Sequence, residues 1–377
     1  MKKETLLNFE KAQVSPKGDN WDFEGLKITQ TQYNTHFFHH YTAKFIPQIP
    51  QNIIKMFKKR GDIVLDPFSG SGTTSVEAKL QGLESYGVEI NPLSVKIAKA
   101  KTTRINYDQL DELIRWLDKS TKNDQTLVSE DITLYPESDK WFRKDVRFKL
   151  SQIIKQINEL DNTTKNFAEV GLSSLLKGMS NARMDLTMPT LPKENSYVDR
   201  KHYDRKMNNE TREIPVYSRL SAKLKRMKSA LKEQEQIGDY TPTHIIEGDS
   251  RRLSKYIPGE VNIIVTSPPY WSAQNYQELH SLSFDLYKLK EPKLGEIGRD
   301  KKAYLKDMEE VITEISKVLN GKFAFVIGES KDNLHKDLFD IILSHGMKEY
   351  KTIKRNITMH SFFAKGIKQE FIYVFEK

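Results

Sequence analysis

The run Gly61-Asp62-Ile63-Val64-Leu65-Asp66-Pro67-Phe68-Ser69-Gly70-Ser71-Gly72-Thr73-Thr74 reads as a strand, a glycine-rich turn and the start of a helix. That succession commits the chain to an α/β sheet whose strands end on ligand-binding turns. Glycines let the backbone approach a ligand closely, and a helix amino terminus favours polar or anionic groups. The turn is not a P-loop, because no Gly-Lys-Ser/Thr follows it. It is not the dinucleotide fingerprint either, because Gly72 leads into Thr73-Thr74-Ser75-Val76. The next strand, Ser85 to Asn91, carries Glu89 near its end. Glu89 is either an ordinary solvated strand end or the carboxylate that holds a ribose diol in doubly wound nucleotide folds.

A second strand, Val261-Asn262-Ile263-Ile264-Val265, runs into Thr266-Ser267-Pro268-Pro269-Tyr270. Two prolines remove two backbone donors and stiffen the turn, so its carbonyls are fixed outward. The Ser267 hydroxyl and the Pro268 carbonyl can then accept from one amino group, and Tyr270 offers a flat face for a ring. The alternative is a Pro-Pro turn that simply ends a strand.

Together, D-P-F-S-G-S-G-T-T, G-V-E-I-N-P and T-S-P-P-Y resemble the S-adenosylmethionine-dependent DNA amino-methyltransferases, which methylate cytosine N4 or adenine N6. The resemblance covers residues about 33–104 and 243–377. It implies a Rossmann-like class I methyltransferase fold: a mostly parallel seven-stranded sheet with an antiparallel last strand, plus a largely helical insert. It implies that Asp66, Pro67, Phe68, Ser69, Gly70, Gly72 and Thr73 cradle the methionine part of the cofactor and that Glu89 binds its ribose. Asp249, after the strand Ile245–Gly248, would accept from the adenine amino group. The segment Thr35 to Pro47, with His39, Tyr41, Lys44 and Phe45, would close over the methionine end. Ser267, Pro268, Pro269 and Tyr270 would be catalytic. Serine at the head of that motif is the form most often seen in cytosine-N4 enzymes, and aspartate in adenine-N6 enzymes. A site-specific cytosine-N4 methyltransferase acting on a flipped base of double-stranded DNA is therefore expected, in a restriction-modification setting with a cognate endonuclease. An adenine-N6 enzyme, an RNA methyltransferase and a silent DNA-binding subunit are the alternatives. Trp271, His280 and Met359 to Phe363 are further candidates for the pocket.

Composition agrees with this reading. A net charge of +9 favours a polyanionic partner. Zero cysteines exclude a disulfide scaffold, cysteine-ligated zinc and thiolate-dependent methylation of cytosine C5. His36, His39 and His40 match no usual zinc spacing, so no metal is expected. No membrane span or signal peptide is read, and a cytoplasmic enzyme of a bacterium or phage is expected.

The strand–helix alternation predicts strands at 62–67, 85–90, 244–248, 261–266, 322–328, 349–356 and 370–376, and helices at 74–82, 92–101 and 303–319. Residues 1–104 and 243–377 are assigned to the catalytic domain and 105–242 to an inserted, mainly helical region. In the insert, Leu110, Leu113, Ile114 and Leu117 fall at helical spacing, as do Phe148, Leu150, Ile153, Ile154 and Ile157. Residues 200–232 hold eleven basic and three acidic side chains. Such a run is either a solvated face or a phosphate-binding surface. Arg219, Lys223, Lys225, Arg226 and Lys228 are the candidates for DNA contact. An insert between the second and third motifs departs from the family's familiar arrangement, where the recognition region comes later.

Overall fold

The computed structural model describes residues 13–41, 44–123, 131–192, 214–238, 241–269, 276–290, 300–329, 332–357 and 369–377. Two compact units divide the chain: Met1–Thr102 with Ala230–Ala273 and Pro292–Lys377, and Thr103–Ser229 with Gln274–Glu291. The helical unit thus ends before 242, and 274–291 joins it from the half of the sequence assigned to the catalytic domain.

The first unit is built on a seven-stranded sheet, ordered β3-β2-β1-β4-β5-β7-β6. Its strands are β1 Ile63–Asp66, β2 Glu84–Glu89, β3 Thr243–Glu247, β4 Val261–Thr266, β5 Leu319–Gly328, β6 Lys348–Asn356 and β7 Gln369–Glu376. β1 to β5 pair in parallel, while β7 runs antiparallel between β5 and β6. This is the Rossmann-like sheet that the motifs implied.

Both faces of the central strands are buried. Leu65, Ile264 and Phe323 point one way, onto Met308, Val311 and Ile315 of helix Lys301–Val318 and Leu338 of helix Leu334–Ser344. Val64, Ile263, Val265 and Ala324 point the other way, onto Trp21 and onto Ile49 and Ile53 of helix Gln48–Phe57. Strands covered on both sides favour apolar residues on both faces, which is why β1 and β4 read as near-continuous apolar runs, interrupted at Asn262 and ending in Asp66 and Thr266. β5 starts at Leu319, three residues before the expected 322, because its first turn of sequence, Asn320-Gly321-Lys322, is polar. Gly321 is required there: a Cβ would lie 2.1 Å from the Asn262 carbonyl oxygen. Helices Gln48–Phe57 and Leu334–Ser344 add to the three expected around the sheet. In the first, Ile49, Ile53 and Ile54 are fully buried, and the polar Gln48, Gln51 and Asn52 are buried as well.

The second unit contains helices Tyr107–Lys122, Lys144–Asn158 and Asn162–Ser173, and the first part of Val216–Gly238. Leu110, Leu113, Ile114 and Leu117 are all buried, as their spacing predicts. Asn106 and Asp161 cap their helices through side-chain oxygens that accept from two backbone N–H groups each. Gly171 lets the third helix meet the last closely, since a Cβ there would come within 2.8 Å of Leu224.

Candidate active site

The turn after β1 is shaped by two glycines with different tasks. Gly72, at φ +80°, caps helix Thr73–Leu80, and a Cβ on it would sit 2.8 Å from the Ala98 Cβ. Packing against helix Pro92–Thr102 therefore demands glycine. Gly70, at φ +48°, is different: a Cβ there meets nothing nearer than 4.0 Å, where the Phe68 carbonyl and the Tyr41 ring lie. The chain leaves a cradle above Gly70. Next to it the buried Ser69 Oγ faces Gly87 of β2 and has no hydrogen-bond partner among the described residues. Beneath the turn, the fully buried Lys101 donates to the Ser71 carbonyl at 2.7 Å and to its Oγ at 3.2 Å.

Glu89 stands at the end of β2. Its Oε2 accepts from Gly70 N and its Oε1 from Asn91 N, both at 2.8 Å. Burial pushes its pKa up to about 7 against the pull of those bonds. Each oxygen retains a lone pair for a further donor. Asp249, past the end of β3, is gripped by Arg251, whose Nε reaches both carboxylate oxygens at 3.1 Å, and Arg251 also pairs with Asp307 at 3.1 Å. Burial alone would raise the Asp249 pKa, but the Arg251 bonds together bring it below the usual value.

The upstream segment packs onto helix Thr73–Leu80 through a buried polar cluster. Tyr33 OH donates to Glu77 Oε1 at 2.5 Å, His36 Nε2 meets the same oxygen at 2.7 Å, and Gln51 Nε2 donates to Tyr33 OH at 2.8 Å. Burial pushes Glu77 up to about 8 and holds His36 well below its ordinary value. Burial thus disfavours charge on both partners of this close pair. Lys44 Nζ donates to the His36 carbonyl at 3.2 Å, and burial lowers its pKa to about 8. His39 turns Nδ1 to the His40 carbonyl, and Phe45 packs into the apolar layer under the sheet rather than over the glycine turn. Tyr41 comes to the cradle, its ring 4.0 Å from where a Cβ on Gly70 would stand. The Tyr33–Gln51–Glu77 cluster was not anticipated from sequence, since its three residues are polar positions scattered over two helices and a loop.

Ser267, Pro268 and Pro269 follow the end of β4, Ser267 half-buried. Tyr270, Trp271 and Met359 to Phe363 lie outside the described residues. His280 belongs to the helical unit. Asp66 is 2% exposed and its carboxylate is already engaged three times. Oδ1 accepts from Thr266 Oγ1 at 2.6 Å and Phe68 N at 3.1 Å, and Oδ2 from Thr74 Oγ1 at 2.7 Å.

In the helical unit the basic candidates are partly committed to acids. Lys225 pairs with Asp118 at 2.8 Å and Lys228 with Asp111 at 2.5 Å, while Arg219 donates to the Gly178 carbonyl at 3.0 Å. Burial lowers the Lys223 pKa to about 8, and Arg226 adds to the shift. Arg226 is exposed. Arg200, Lys201, Arg205, Lys206 and Arg212 lie outside the described residues.

The cradle above Gly70 and the acid at the end of β2 fit the amino-acid and ribose parts of S-adenosylmethionine. The sheet order and this rim define a Rossmann-like methyltransferase. A family model described as DNA methylase, of the N6/N4 type, matches residues 2–100. Type II methyltransferase M.MvaI of Kocuria varians is 30% identical over 326 residues, which is 80% of this chain and 69% of that protein. Type II methyltransferase M.MjaII of Methanocaldococcus jannaschii is 25% identical over 416 residues, 85% of this chain and 77% of that protein. DNA adenine methyltransferase YhdJ of Escherichia coli is 30% identical over 106 residues, 28% of this chain and 34% of that protein. The chain belongs to the N6/N4 family of DNA methyltransferases; it methylates DNA and its cofactor is S-adenosylmethionine.

Proposed function

We propose that the chain methylates the N4 amine of a cytosine flipped out of double-stranded DNA. The observation that carries this reading is Ser267, a neutral hydroxyl and not a carboxylate, at the head of a Pro-Pro turn on the carboxyl end of β4. The exocyclic amine of cytosine is a weak nucleophile because its lone pair is delocalised into the ring. Its two N–H groups donate to Ser267 Oγ and the Pro268 carbonyl, which favours a pyramidal nitrogen with a localised lone pair. S-adenosylmethionine, when bound, supplies the sulfonium methyl that the nitrogen takes up, the electron pair of the broken C–S bond staying on sulfur. The methylated ammonium then loses its proton to water, so Ser267 need not act as a base. The residues contribute orientation and fixed dipoles. A base inside a duplex must first leave the stack, at a cost of a few kcal/mol, and Tyr270 is the ring on which it would stack.

Glu89 holds the ribose diol in this reading, the Gly70 turn the methionine end and Asp249 the adenine amine. Asp249 meets that amine with the lone pairs Arg251 leaves, or after Arg251 swings aside. The basic helix Val216–Gly238 contacts phosphate, the helical unit reads the site, and a cognate endonuclease cuts the same unmethylated sequence in the cytoplasm of a prokaryote. Likeness to an adenine methyltransferase over part of the chain keeps adenine N6 as the second reading. Incubation with labelled S-adenosylmethionine and duplex DNA, followed by mass spectrometry of the nucleosides, tests the choice. N4-methylcytosine is expected; N6-methyladenine would overturn the use of Ser267 to assign the base.

A further inference from the structure

Asp66 heads the glycine turn, where the family resemblance suggests a cofactor contact, yet its side chain faces inward. The carboxylate lies between two strand ends and a helix start. From one side Thr266 Oγ1 donates at 2.6 Å, and Thr266 directly precedes Ser267. From the other, Thr74 Oγ1 donates at 2.7 Å from the first turn of helix Thr73–Leu80, and Phe68 N donates at 3.1 Å from within the turn itself. Thr74 Oγ1 also lies 3.3 Å from the Val265 carbonyl, which gives a second tie to β4. Thr266 and Thr74 are 0% and 1% exposed, so water does not compete for these bonds. β1 and β4 are adjacent and in register at Val64–Ile263 and Leu65–Ile264, but the ladder stops there. Past that point, side chains hold the two strand ends at a fixed spacing.

We propose that Asp66 is a positioning residue: through Thr266 and Thr74 it locks the amine-gripping Ser267–Pro268 turn to the cofactor turn, and it does not itself touch the cofactor. Methyl transfer needs the amine nitrogen and the methyl carbon in line, and small misplacement is costly: a shift of about 1 Å can cost about a hundredfold in rate. The clamp fixes that spacing before either ligand arrives. This inference rests on Ser267 and Pro268 holding the amine, whichever base carries it.

The test measures total methyl transfer into DNA and, separately, S-adenosylmethionine affinity by calorimetry. Thr266→Val removes the hydroxyl and keeps the shape. It is expected to lower kcat at least about tenfold while the cofactor Kd changes less than about twofold, and Thr266→Ser is expected to restore most of the rate. Asp66→Asn keeps one acceptor and is expected to fall between them. Thermal melting of each variant separates loss of rate from loss of fold, and only folded variants are compared. Wild-type kcat in folded Thr266→Val, or equal loss of rate and cofactor affinity, would overturn the clamp. So would a Thr266→Ser variant no faster than Thr266→Val. Ser267→Ala serves as the control for the underlying reading. If it turns over normally, the amine grip is wrong; if it is slow while Thr266→Val is fast, only the clamp is wrong.

Discussion

The cofactor turn of the sheet unit and the basic helix of the other unit handle charge differently. In the sheet unit, Asp66, Glu77, His36 and Lys101 are buried and engaged by hydroxyls, ring nitrogens and backbone groups. Burial moves Asp66 up to about 6 and Glu77 to about 8. In the helical unit Arg147 and Lys149 are also buried, Arg147 donating to the Phe142 and Ile132 carbonyls, but the basic candidates and their neighbours pair on exposed faces, as Lys225 with Asp118 and Lys140 with Glu137. A buried polar group cannot exchange partners without leaving something unsatisfied, so it fixes geometry. An exposed ion pair contributes little, about 0.2–1 kcal/mol, so its cation can be redirected to a phosphate at small cost. The surroundings of the cofactor turn have the rigid kind of polar contact, and the basic face proposed to meet DNA has the exchangeable kind.

The largest effect should come from the point where packing leaves no room. Gly72→Val forces a side chain at φ +80° into Ala98. It is expected to abolish cofactor binding in calorimetry and to destabilise the fold by at least about 1–3 kcal/mol. Gly171→Ala is the counterpart in the helical unit. Its clash is with the flexible end of Leu224, and a loss as large as that of Gly72→Val would erase the contrast in rigidity. Next, Glu89→Ala removes a carboxylate that would bond the ribose. Hydrogen bonds to charged groups are worth about 1.5–3 kcal/mol, so the cofactor Kd should rise about 10- to 100-fold, and an unchanged Kd would return Glu89 to the role of a turn-stabilising strand end.

The third prediction concerns pH. A carboxyl whose folded pKa is raised adds stability below its unfolded value, and that stability is lost as pH rises through the folded value. Glu77 should therefore make the protein less stable between pH 4.5 and about 8. His36, with a lowered pKa, acts the other way and only below pH 6.5. Melting temperatures measured from pH 6.5 to 8 should fall less steeply in Glu77→Gln than in the wild type. Parallel curves would mean that Glu77 is ionised in the folded protein. The smallest effect tests the basic side chains. If Arg226 meets phosphate, Arg226→Gln should flatten the salt dependence of DNA binding by about 0.9 log unit per log unit of salt. Lys225→Gln should flatten it as well if its ammonium leaves Asp118 for a phosphate. Equal slopes in all three proteins would make the helix a solvated face.

Local sequence determined a good deal. The mainly apolar runs at Ile63–Leu65 and Val261–Val265 marked two central strands because burial on both faces favours apolar side chains. The glycine turn was legible because Gly72 has a conformation and a neighbour that other residues cannot tolerate. The order of motifs along the chain was enough to imply the sheet and its cofactor. Tertiary structure decided what lies between distant positions. Asp66 meets Thr266 across 200 residues and Tyr33 meets Glu77 across 44, and no local periodicity encodes such pairs. It also showed Lys225 and Lys228 beside acids more than 100 residues away, where the sequence showed only a basic run. Propensity and pattern are written along the chain, so they specify elements. The partner of a buried polar group or an exposed charge depends on which elements the fold brings together, and that is settled only once the chain is packed.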